Sequence, residues 1–247
     1  MAVAVKFGVI FDNDGVLVDS EHISLKAYRQ AIREQGVELR EEDDAHYCGL
    51  TDADIIRDMR EVYGADLDLE RFSARKRELY FELAAAAGAM RVFDGVRELL
   101  ELLQANQIPY ALASSGSREK ILFNLRLANL LEYFDVPAEV QGRAAQARDA
   151  ACRTGIIVSG EDFHRGKPDP EIFLCAAERL GLSPAQCVII EDSINGLKAA
   201  RAAGAIAVGV ANTFPAEMLQ PWADVVVSSM RELTLPRLEE LARATKV

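Results

Sequence analysis

The sequence has little positive charge, no paired cysteine motif and no long hydrophobic run. Its 39 acidic residues outnumber the 28 Lys and Arg residues and give a formal net charge of −11. Nucleic acids and anionic membranes are bound by basic patches, so this balance argues against both as partners. Every apolar stretch is shorter than the roughly 20 residues of a membrane-spanning helix, and the residues up to Phe11 lack the apolar region of a signal peptide.

The four cysteines have no C-x-x-C spacing. Cys175 and Cys187 lie among apolar residues, which is typical of small core residues rather than of metal ligands or disulfide partners. We therefore expect a reducing, cytoplasmic location. The 247 residues suffice for one large domain or for a domain with an insert, and nothing in the sequence requires more than a monomer.

Short apolar runs alternate with segments of helical periodicity along most of the chain. Near-continuous apolar runs are typical of strands that are buried on both faces of a parallel sheet. The predicted strands are Val5–Phe11, Ile108–Ala113, Ile156–Val158, Val188–Ile190, Ile206–Val210 and Val225–Val227. This alternation predicts a doubly wound, Rossmann-like α/β domain whose ligands lie at the carboxyl ends of the strands.

Residues 19–90 interrupt this alternation. Ser20–Gln35 and Glu70–Ala87 have the pattern of helices, and no convincing strand lies between them. We therefore predict an all-helical cap domain over 19–90, inserted into a core of residues 1–18 and 91–247. A further segment of the core, 137–156, is an unusual insert rich in Ala and Arg. It is interpreted as an extra helix or a mobile flap, whose arginines are either solvated or face the active site.

Asp12 and Asp14 directly follow the first predicted strand. Side chains two residues apart in an extended segment point the same way, so the two carboxylates should project together. Such a pair repels itself unless a cation or a proton compensates. Alone it could be a solvated turn, but it also suits a metal-assisted nucleophile beside a general acid/base.

Polar groups also follow three other predicted strands. Each group alone is typical of an ordinary turn or helix cap. Since the carboxyl ends of parallel strands lie at one edge of the sheet, the groups together predict one site. They are Ser114, Ser115 and Gly116 after the second strand, Lys167 after the third, and Glu191 and Asp192 after the fourth.

These groups meet the requirements of phosphoryl transfer, in which the protein positions groups and neutralises charge. Asp12 is the candidate carboxylate nucleophile, and Asp14 the candidate acid/base. The Ser114 hydroxyl and nearby N–H groups can bind phosphate oxygens, and Lys167 is a compact cation suited to the phosphate and to Asp12.

Four acids at one site indicate a bound divalent cation. An oxygen-only set of ligands and phosphate chemistry favour Mg²⁺. The candidate metal-binding residues are Asp12, Asp14, Glu191 and Asp192.

The motifs resemble those of haloacid dehalogenase superfamily phosphohydrolases with a helical cap. The resemblance covers nearly the whole chain and rests on Phe-Asp-x-Asp-Gly-Val-Leu-Val-Asp-Ser, the Ser114 motif, Gly-Lys-Pro-Asp-Pro and Ile-Glu-Asp-Ser-x-x-Gly. It implies a phosphoaspartyl intermediate on Asp12 and Mg²⁺ ligands from Asp12, the Asp14 carbonyl oxygen and Asp192, with Glu191 acting directly or through water. The acid at Asp14 implies phosphate esters, because the dehalogenases lack it.

A second resemblance concerns the substrate. The segment Gly49, Leu50 and Thr51 is similar to the cap loop that closes over the substrate in β-phosphoglucomutases and sugar-phosphate phosphatases. With Ser115 and Gly116 it supplies the candidate substrate-binding residues. The mutases carry Lys, Arg and His where this chain has Cys48, Asp52 and Ser24.

The loss of those cations favours hydrolysis over mutase turnover. We therefore expect a phosphatase acting on a small phosphorylated metabolite, in first place a sugar phosphate. Two alternatives stay open, a phosphosugar mutase and a non-catalytic protein that binds a phosphorylated ligand. The proton donor at Asp14 argues against the second, since a binding protein has no need of it.

Overall fold

The computed structural model describes residues 6–40, 52–136 and 154–244. Cα proximity divides the chain into two units, a larger one of Met1–Asp19 with Arg91–Val247 and a smaller one of Ser20–Met90. In the larger unit Val18 forms isolated β-bridges with Asp14 and Val92. The two chain segments of that unit are thus joined just after the first strand.

In the described part of the smaller unit, helices are the only regular secondary structure. Its helices are α1 (Glu21–Arg33), α2 (Asp52–Tyr63) and α3 (Leu69–Ala87), and α1 packs against α3. Helix α3 begins at Asp68, whose side chain accepts a hydrogen bond from the Arg71 N–H (2.8 Å), and ends at Gly88 with φ 71°. Helix α2 was not among the predicted helices because charged residues are as frequent in it as apolar ones, and only Ile55, Ile56 and Met59 are buried.

A six-stranded parallel sheet forms the centre of the larger unit. Its strands lie in the order β3-β2-β1-β4-β5-β6, so the chain builds outward from β1 to one side and then to the other. This is a doubly wound sheet with its switch point beside β1, and the predicted fold class is confirmed. The strands are β1 (Gly8–Phe11), β2 (Tyr110–Ala113), β3 (Thr154–Val158), β4 (Cys187–Glu191), β5 (Ile206–Val210) and β6 (Val225–Val227).

The central strands are buried on both faces, as their continuous apolar runs predict. Every residue of β1, β2, β4 and β5 is buried, whereas β6 at the edge is only partly covered. Strand β3 begins at Thr154, earlier than predicted, because Thr154 pairs with Tyr110 of β2. The end of the predicted insert 137–156 therefore belongs to the sheet, and 137–153 lie outside the described residues.

Helices follow the strands and cover the sheet. Helices α5 and α7 begin after Ser117 and Ser193, whose hydroxyls accept hydrogen bonds from main-chain N–H groups of the first turn. Over the three described ranges, no helix combines the length and hydrophobicity needed to cross a membrane. The helices are α4 (Val96–Ala105), α5 (Arg118–Leu127), α6 (Glu171–Leu180), α7 (Ile194–Ala202), α8 (Ala216–Leu219) and α9 (Leu235–Ala244).

The connection from β3 to Lys167 is organised around the Asp162 carboxylate. One oxygen accepts hydrogen bonds from the N–H (2.8 Å) and hydroxyl (2.9 Å) of Ser159, and the other from the Arg179 guanidinium (2.6 Å). Arg179 also donates to the Ile157 carbonyl (3.2 Å), so the turn is tied to both β3 and α6. Burial acts to raise the pKa of Asp162, but the bonds from Arg179 and Ser159 outweigh it and lower the pKa to about 2.

We expect Asp162→Asn to lower the free energy of unfolding at pH 7 by about 1–2 kcal/mol. Solvent screens the contact because Arg179 is partly exposed, which keeps this effect below that of a fully buried ion pair. Because the folded-state pKa is depressed, this stabilisation is present above the ordinary pKa of 3.8 and is lost as the pH falls through about 2. In urea denaturation the difference in the free energy of unfolding between wild type and variant should decrease as the pH falls from about 5 to about 3. The exposed Glu217→Gln serves as the control, and a gap that is independent of pH would contradict the assignment.

Candidate active site

The loops after β1, β2 and β4 bring buried polar side chains to one edge of the sheet. Strand β1 lies between β2 and β4, so residues at the carboxyl ends of these three strands are neighbours. Asp12, Ser114, Glu191 and Asp192 are exposed by only 7%, 2%, 1% and 5%, respectively. Buried carboxylates require compensating charge or hydrogen bonds, so the contacts of each one indicate its role.

Lys167 joins two of these carboxylates directly. Its ammonium donates to Asp12 Oδ1 and to Glu191 Oε1, each at 2.5 Å. The three side chains are almost fully enclosed, and the ammonium also lies 5.2 Å from the centre of the Phe173 ring. The sequence prediction that Lys167 reaches Asp12 therefore has a direct counterpart in the structure.

One lysine does not balance the acids around Asp12. Burial is the largest influence and raises the pKa of Asp12 to about 7, Lys167 opposes it, and Glu191 and Asp14 reinforce it. Burial alone would lower the pKa of Lys167, but Asp12 and Glu191 outweigh burial and raise that pKa above its usual range. Asp12 and Glu191, two buried carboxylates, thus share one ammonium group.

Glu191 is fixed by hydrogen bonds to both of its oxygens. Oε1 accepts from Lys167, and Oε2 accepts from the N–H groups of Asp192 (3.1 Å) and Ser193 (3.0 Å) and from the Ser193 hydroxyl (2.9 Å). A Cβ atom at Gly196 would lie only 1.9 Å from the Glu191 carboxyl group. The first turn of α7 thus needs a glycine so that this carboxylate can lie against the helix.

Asp192 is held by a loop that follows β5. The Thr213 hydroxyl donates to Asp192 Oδ2, and the Asn212 side-chain amide donates to the Gly15 carbonyl (2.8 Å). Gly15 has φ 81°, and a Cβ there would lie 1.8 Å from Asp192 Oδ2. The main chain after Asp14 therefore approaches Asp192 more closely than any other residue would allow.

Asp14 is held by helix α5. Its Oδ1 accepts from the Asn124 amide and its Oδ2 from the Lys120 ammonium, each at 3.2 Å. Asn124 is fully buried, and the side chains of Lys120 and Asp14 are exposed by 24% and 16%. The second acid of the motif thus has its own partners, separate from the Lys167 contacts of Asp12.

The loop after β2 lies beside Asp14. The Ser114 hydroxyl accepts a hydrogen bond from the Gly116 N–H (3.1 Å), while Ser115 is exposed. A Cβ placed on Gly116 would be 3.4 Å from the Ser114 hydroxyl and 4.0 Å from Asp14 Oδ2. The structure therefore brings Ser114 and Gly116 next to the acid/base candidate. Gly49, Leu50 and Thr51 lie outside the described residues.

The predicted metal ligands do not form a conventional cluster of side chains. Within the residues that the structure describes, no group of three or more His, Cys, Asp and Glu side chains is arranged to hold a metal ion. Asp12 and Asp192 are nevertheless both buried and follow the neighbouring strands β1 and β4, and the main chain at Gly15 lies against the Asp192 carboxylate. This donor set consists only of oxygen atoms, and it suits a hard divalent cation.

The sequence reasoning missed Lys120, Asn124, Asn212 and Thr213. For the last two a signal was present, because they follow the predicted strand Ile206–Val210 and so belong to the same sheet edge. For Lys120 and Asn124 the only signal was a pair of polar residues with i,i+4 spacing on the helix that follows Ser114.

Comparisons with known proteins agree on the family. The family model of haloacid dehalogenase-like hydrolases matches residues 8–204. A phosphorylated carbohydrates phosphatase of Thermotoga maritima is 33% identical over 200 residues, which is 79% of this chain and 81% of that protein. The β-phosphoglucomutase of Bacillus subtilis is 30% identical over 238 residues, covering 94% of this chain and 93% of that protein.

A solved structure supports the fold. The crystal structure of a haloacid dehalogenase hydrolase of family IA, variant 3, from Entamoeba histolytica superposes with a TM-score of 0.78 at 23% identity, covering 96% of this chain and 99% of that one. The predicted resemblance is thus confirmed. With its family model matched over most of its length, the chain belongs to the haloacid dehalogenase-like hydrolases.

Proposed function

We propose that the chain is a Mg²⁺-dependent phosphatase that hydrolyses a small phosphorylated metabolite, in first place a sugar phosphate, through a phosphoaspartyl intermediate on Asp12. The chain is a phosphoric monoester hydrolase, since it belongs to this hydrolase family and has relatives named as phosphatases. The catalytic residues, the metal and the substrate go beyond that statement and form the proposal.

The observation that carries the proposal is the buried contact of Lys167 with Asp12 and Glu191. A carboxylate that is to attack a phosphate dianion needs a neighbouring cation to reduce the repulsion between them. Lys167 lies in the loop after β3. Its ammonium is 2.5 Å from Asp12 Oδ1 and is also held by Glu191. A binding protein could use the same cation for phosphate, but it would have no use for a second acid held separately at Asp14.

The proposed reaction has two steps, in each of which Asp14 moves a proton. In the first, an Asp12 oxygen forms a bond to phosphorus, the ester P–O bond breaks, and Asp14 gives its proton to the departing oxygen. In the second, Asp14 takes a proton from a water molecule whose oxygen forms a bond to phosphorus, the bond between Asp12 and phosphorus breaks, and phosphate leaves while the Asp12 carboxylate is restored. The Ser114 hydroxyl, which the Gly116 N–H orients (3.1 Å), binds the phosphoryl oxygens together with the Ser115 N–H, and Lys167 neutralises their charge.

The sharing of one ammonium group by the buried carboxylates of Asp12 and Glu191 supports a divalent cation at this site. Asp12 and Asp192 would hold it through their carboxylates and Asp14 through its main-chain oxygen. When bound, Mg²⁺ supplies positive charge that lowers the repulsion between phosphate and the site. Glu191 has both oxygens engaged, so we place it beside Lys167 as a support rather than among the direct ligands.

Sugar phosphates are the proposed substrates because the Thermotoga maritima relative is named for phosphorylated carbohydrates. The β-phosphoglucomutase relative keeps mutase activity as the second candidate. Against it, Asp52 stands where the mutases have an arginine, and it forms an ion pair with Lys76 in the smaller unit. Ser24 stands in place of a mutase histidine, and Cys48 lies outside the described residues. The cytoplasmic location and the monomeric state stay predictions.

We expect Asp12→Asn to reduce phosphate release by at least about a thousandfold, since the amide oxygen is a poor nucleophile. The assay measures phosphate from a panel of hexose and pentose phosphates, with and without Mg²⁺. Asp94→Asn is the matched control, because Asp94 is exposed and pairs with Arg231 far along the chain. Its activity should equal that of the wild type.

The same panel separates the alternatives. Interconversion of hexose 1- and 6-phosphates at a rate comparable to phosphate release would favour the mutase. A folded wild-type protein that releases no phosphate from any compound would favour the non-catalytic binder.

The metal assignment is tested by thermal unfolding, without reference to turnover. At Mg²⁺ concentrations about a hundredfold above its dissociation constant, the wild-type protein should gain about 2–3 kcal/mol of stability and a higher Tm. Asp192→Asn should lose most of this gain, whereas the control Asp94→Asn should keep it. An equal Mg²⁺ response in both variants would remove Asp192 from the ligand set.

A further inference from the structure

Helix α5 holds both oxygens of the Asp14 carboxylate. Lys120 donates to Oδ2 and Asn124 to Oδ1, each at 3.2 Å. The two donors are one helical turn apart and so lie on the same face of α5. We refer to this arrangement of Lys120 and Asn124 around the carboxylate as the Asp14 clamp.

The helix that carries the clamp is well anchored. The Ser117 hydroxyl caps it by accepting the Lys120 N–H (3.2 Å), and Ile121 and Leu125 are fully buried. Lys120 and Asn124 therefore approach Asp14 from fixed positions, and the carboxylate has little freedom to turn about its last side-chain bond. The Gly160 N–H donates to the Gly116 carbonyl (2.9 Å), which also ties the preceding loop to the larger unit.

The Asp14 clamp also lies beside the loop after β2, which contains Ser114, Ser115 and Gly116. A Cβ on Gly116 would contact the Ser114 hydroxyl (3.4 Å), the Lys120 side chain (3.6 Å) and Asp14 Oδ2 (4.0 Å). These three groups thus surround one small volume next to the loop. Any substrate oxygen that reaches Asp14 from that loop meets a carboxyl group whose orientation α5 has already set.

An ordinary surface ion pair is the simplest alternative, but it does not explain Asn124. Exposed ion pairs contribute little and are tolerated almost anywhere. A fully buried asparagine, in contrast, costs stability unless its amide is bound, and one of its bonds goes to the catalytic candidate itself. The two donors therefore act on Asp14 as a unit.

We propose that Lys120 and Asn124 are positioning residues for Asp14, which fix its carboxyl group for proton transfer to the leaving oxygen and later from water. This inference rests on the proposed function. In the first step the Asp12–phosphorus bond forms, the ester P–O bond breaks and the Asp14 proton passes to the leaving alkoxide. A carboxyl group that is free to rotate would still reach that oxygen, but in a smaller fraction of encounters.

The test compares two leaving groups in single turnovers with enzyme in excess, so that only the first step is measured. A sugar phosphate leaves as a strongly basic alkoxide that needs the proton, whereas p-nitrophenyl phosphate leaves as a weakly basic phenolate that does not. Lys120→Met should slow the release of the sugar by about tenfold or more and that of nitrophenolate by less than about twofold. Steady-state kcat should fall for both substrates, because the second step also uses Asp14, and KM should not rise.

Two further variants, Lys120→Arg and Asn124→Leu, test whether the effect comes from the hydrogen bonds to Asp14. Lys120→Arg keeps a cationic donor and should recover most of the lost rate. Asn124→Leu should show the same leaving-group dependence, and its Tm reports whether the buried site still folds. Lys198→Met is the matched control, since Lys198 lies over the Trp222 ring and is not part of the site.

The outcomes separate the two proposals. Equal slowing of both leaving groups by Lys120→Met, or a rise in KM with kcat unchanged, would overturn the positioning role and indicate a structural or a substrate-binding lysine. A folded wild-type protein without activity on either phosphate would overturn the proposed function and the clamp with it. Activity in the wild type and an unaffected Lys120→Met would overturn the clamp alone.

Discussion

The buried contact of Lys167 with Asp12 and Glu191 is the constraint on which the rest of the site depends. Three ionisable groups are almost fully withdrawn from water, which is tolerable only if they neutralise one another and their remaining hydrogen bonds are satisfied. Glu191 meets this requirement through Ser193 and the first N–H groups beyond β4. The position of Lys167, in the loop after β3, thus depends on the geometry of the loop after β4.

Close packing of the main chain makes this arrangement fit. Gly196 lets the Glu191 carboxyl group lie against α7, and Gly15 lets the chain after Asp14 touch Asp192. At Gly15 the backbone also has φ 81°, which other residues rarely adopt. A Cβ atom at either position would displace the Glu191 or the Asp192 carboxyl group from its observed contacts. The two glycines of the motifs are therefore as much a part of the electrostatics as the charges are.

The sequence allowed prediction of the fold and of the groups that the strands deliver. Continuous apolar runs located the sheet, and Ile206–Val210 and Val225–Val227 were placed at their observed bounds. Helix α2 was missed because charged residues are as frequent in it as apolar ones and obscure its apolar face. The start of β3 was placed too late because Thr154 is drawn into the sheet by pairing with β2, a contact that no local pattern reveals.

The residues that were missed in the site share a physical reason. Thr213 and Asn124 belong to no motif. They are distant in sequence from Asp192 and Asp14, but their side chains donate hydrogen bonds to those two carboxylates. A motif marks groups that meet the substrate, because the chemistry dictates their type. Groups that orient them can be any donor at the right distance, so their identity is set by the packing of each particular chain. The orienting residues are therefore where members of one family can differ in rate while they share one reaction.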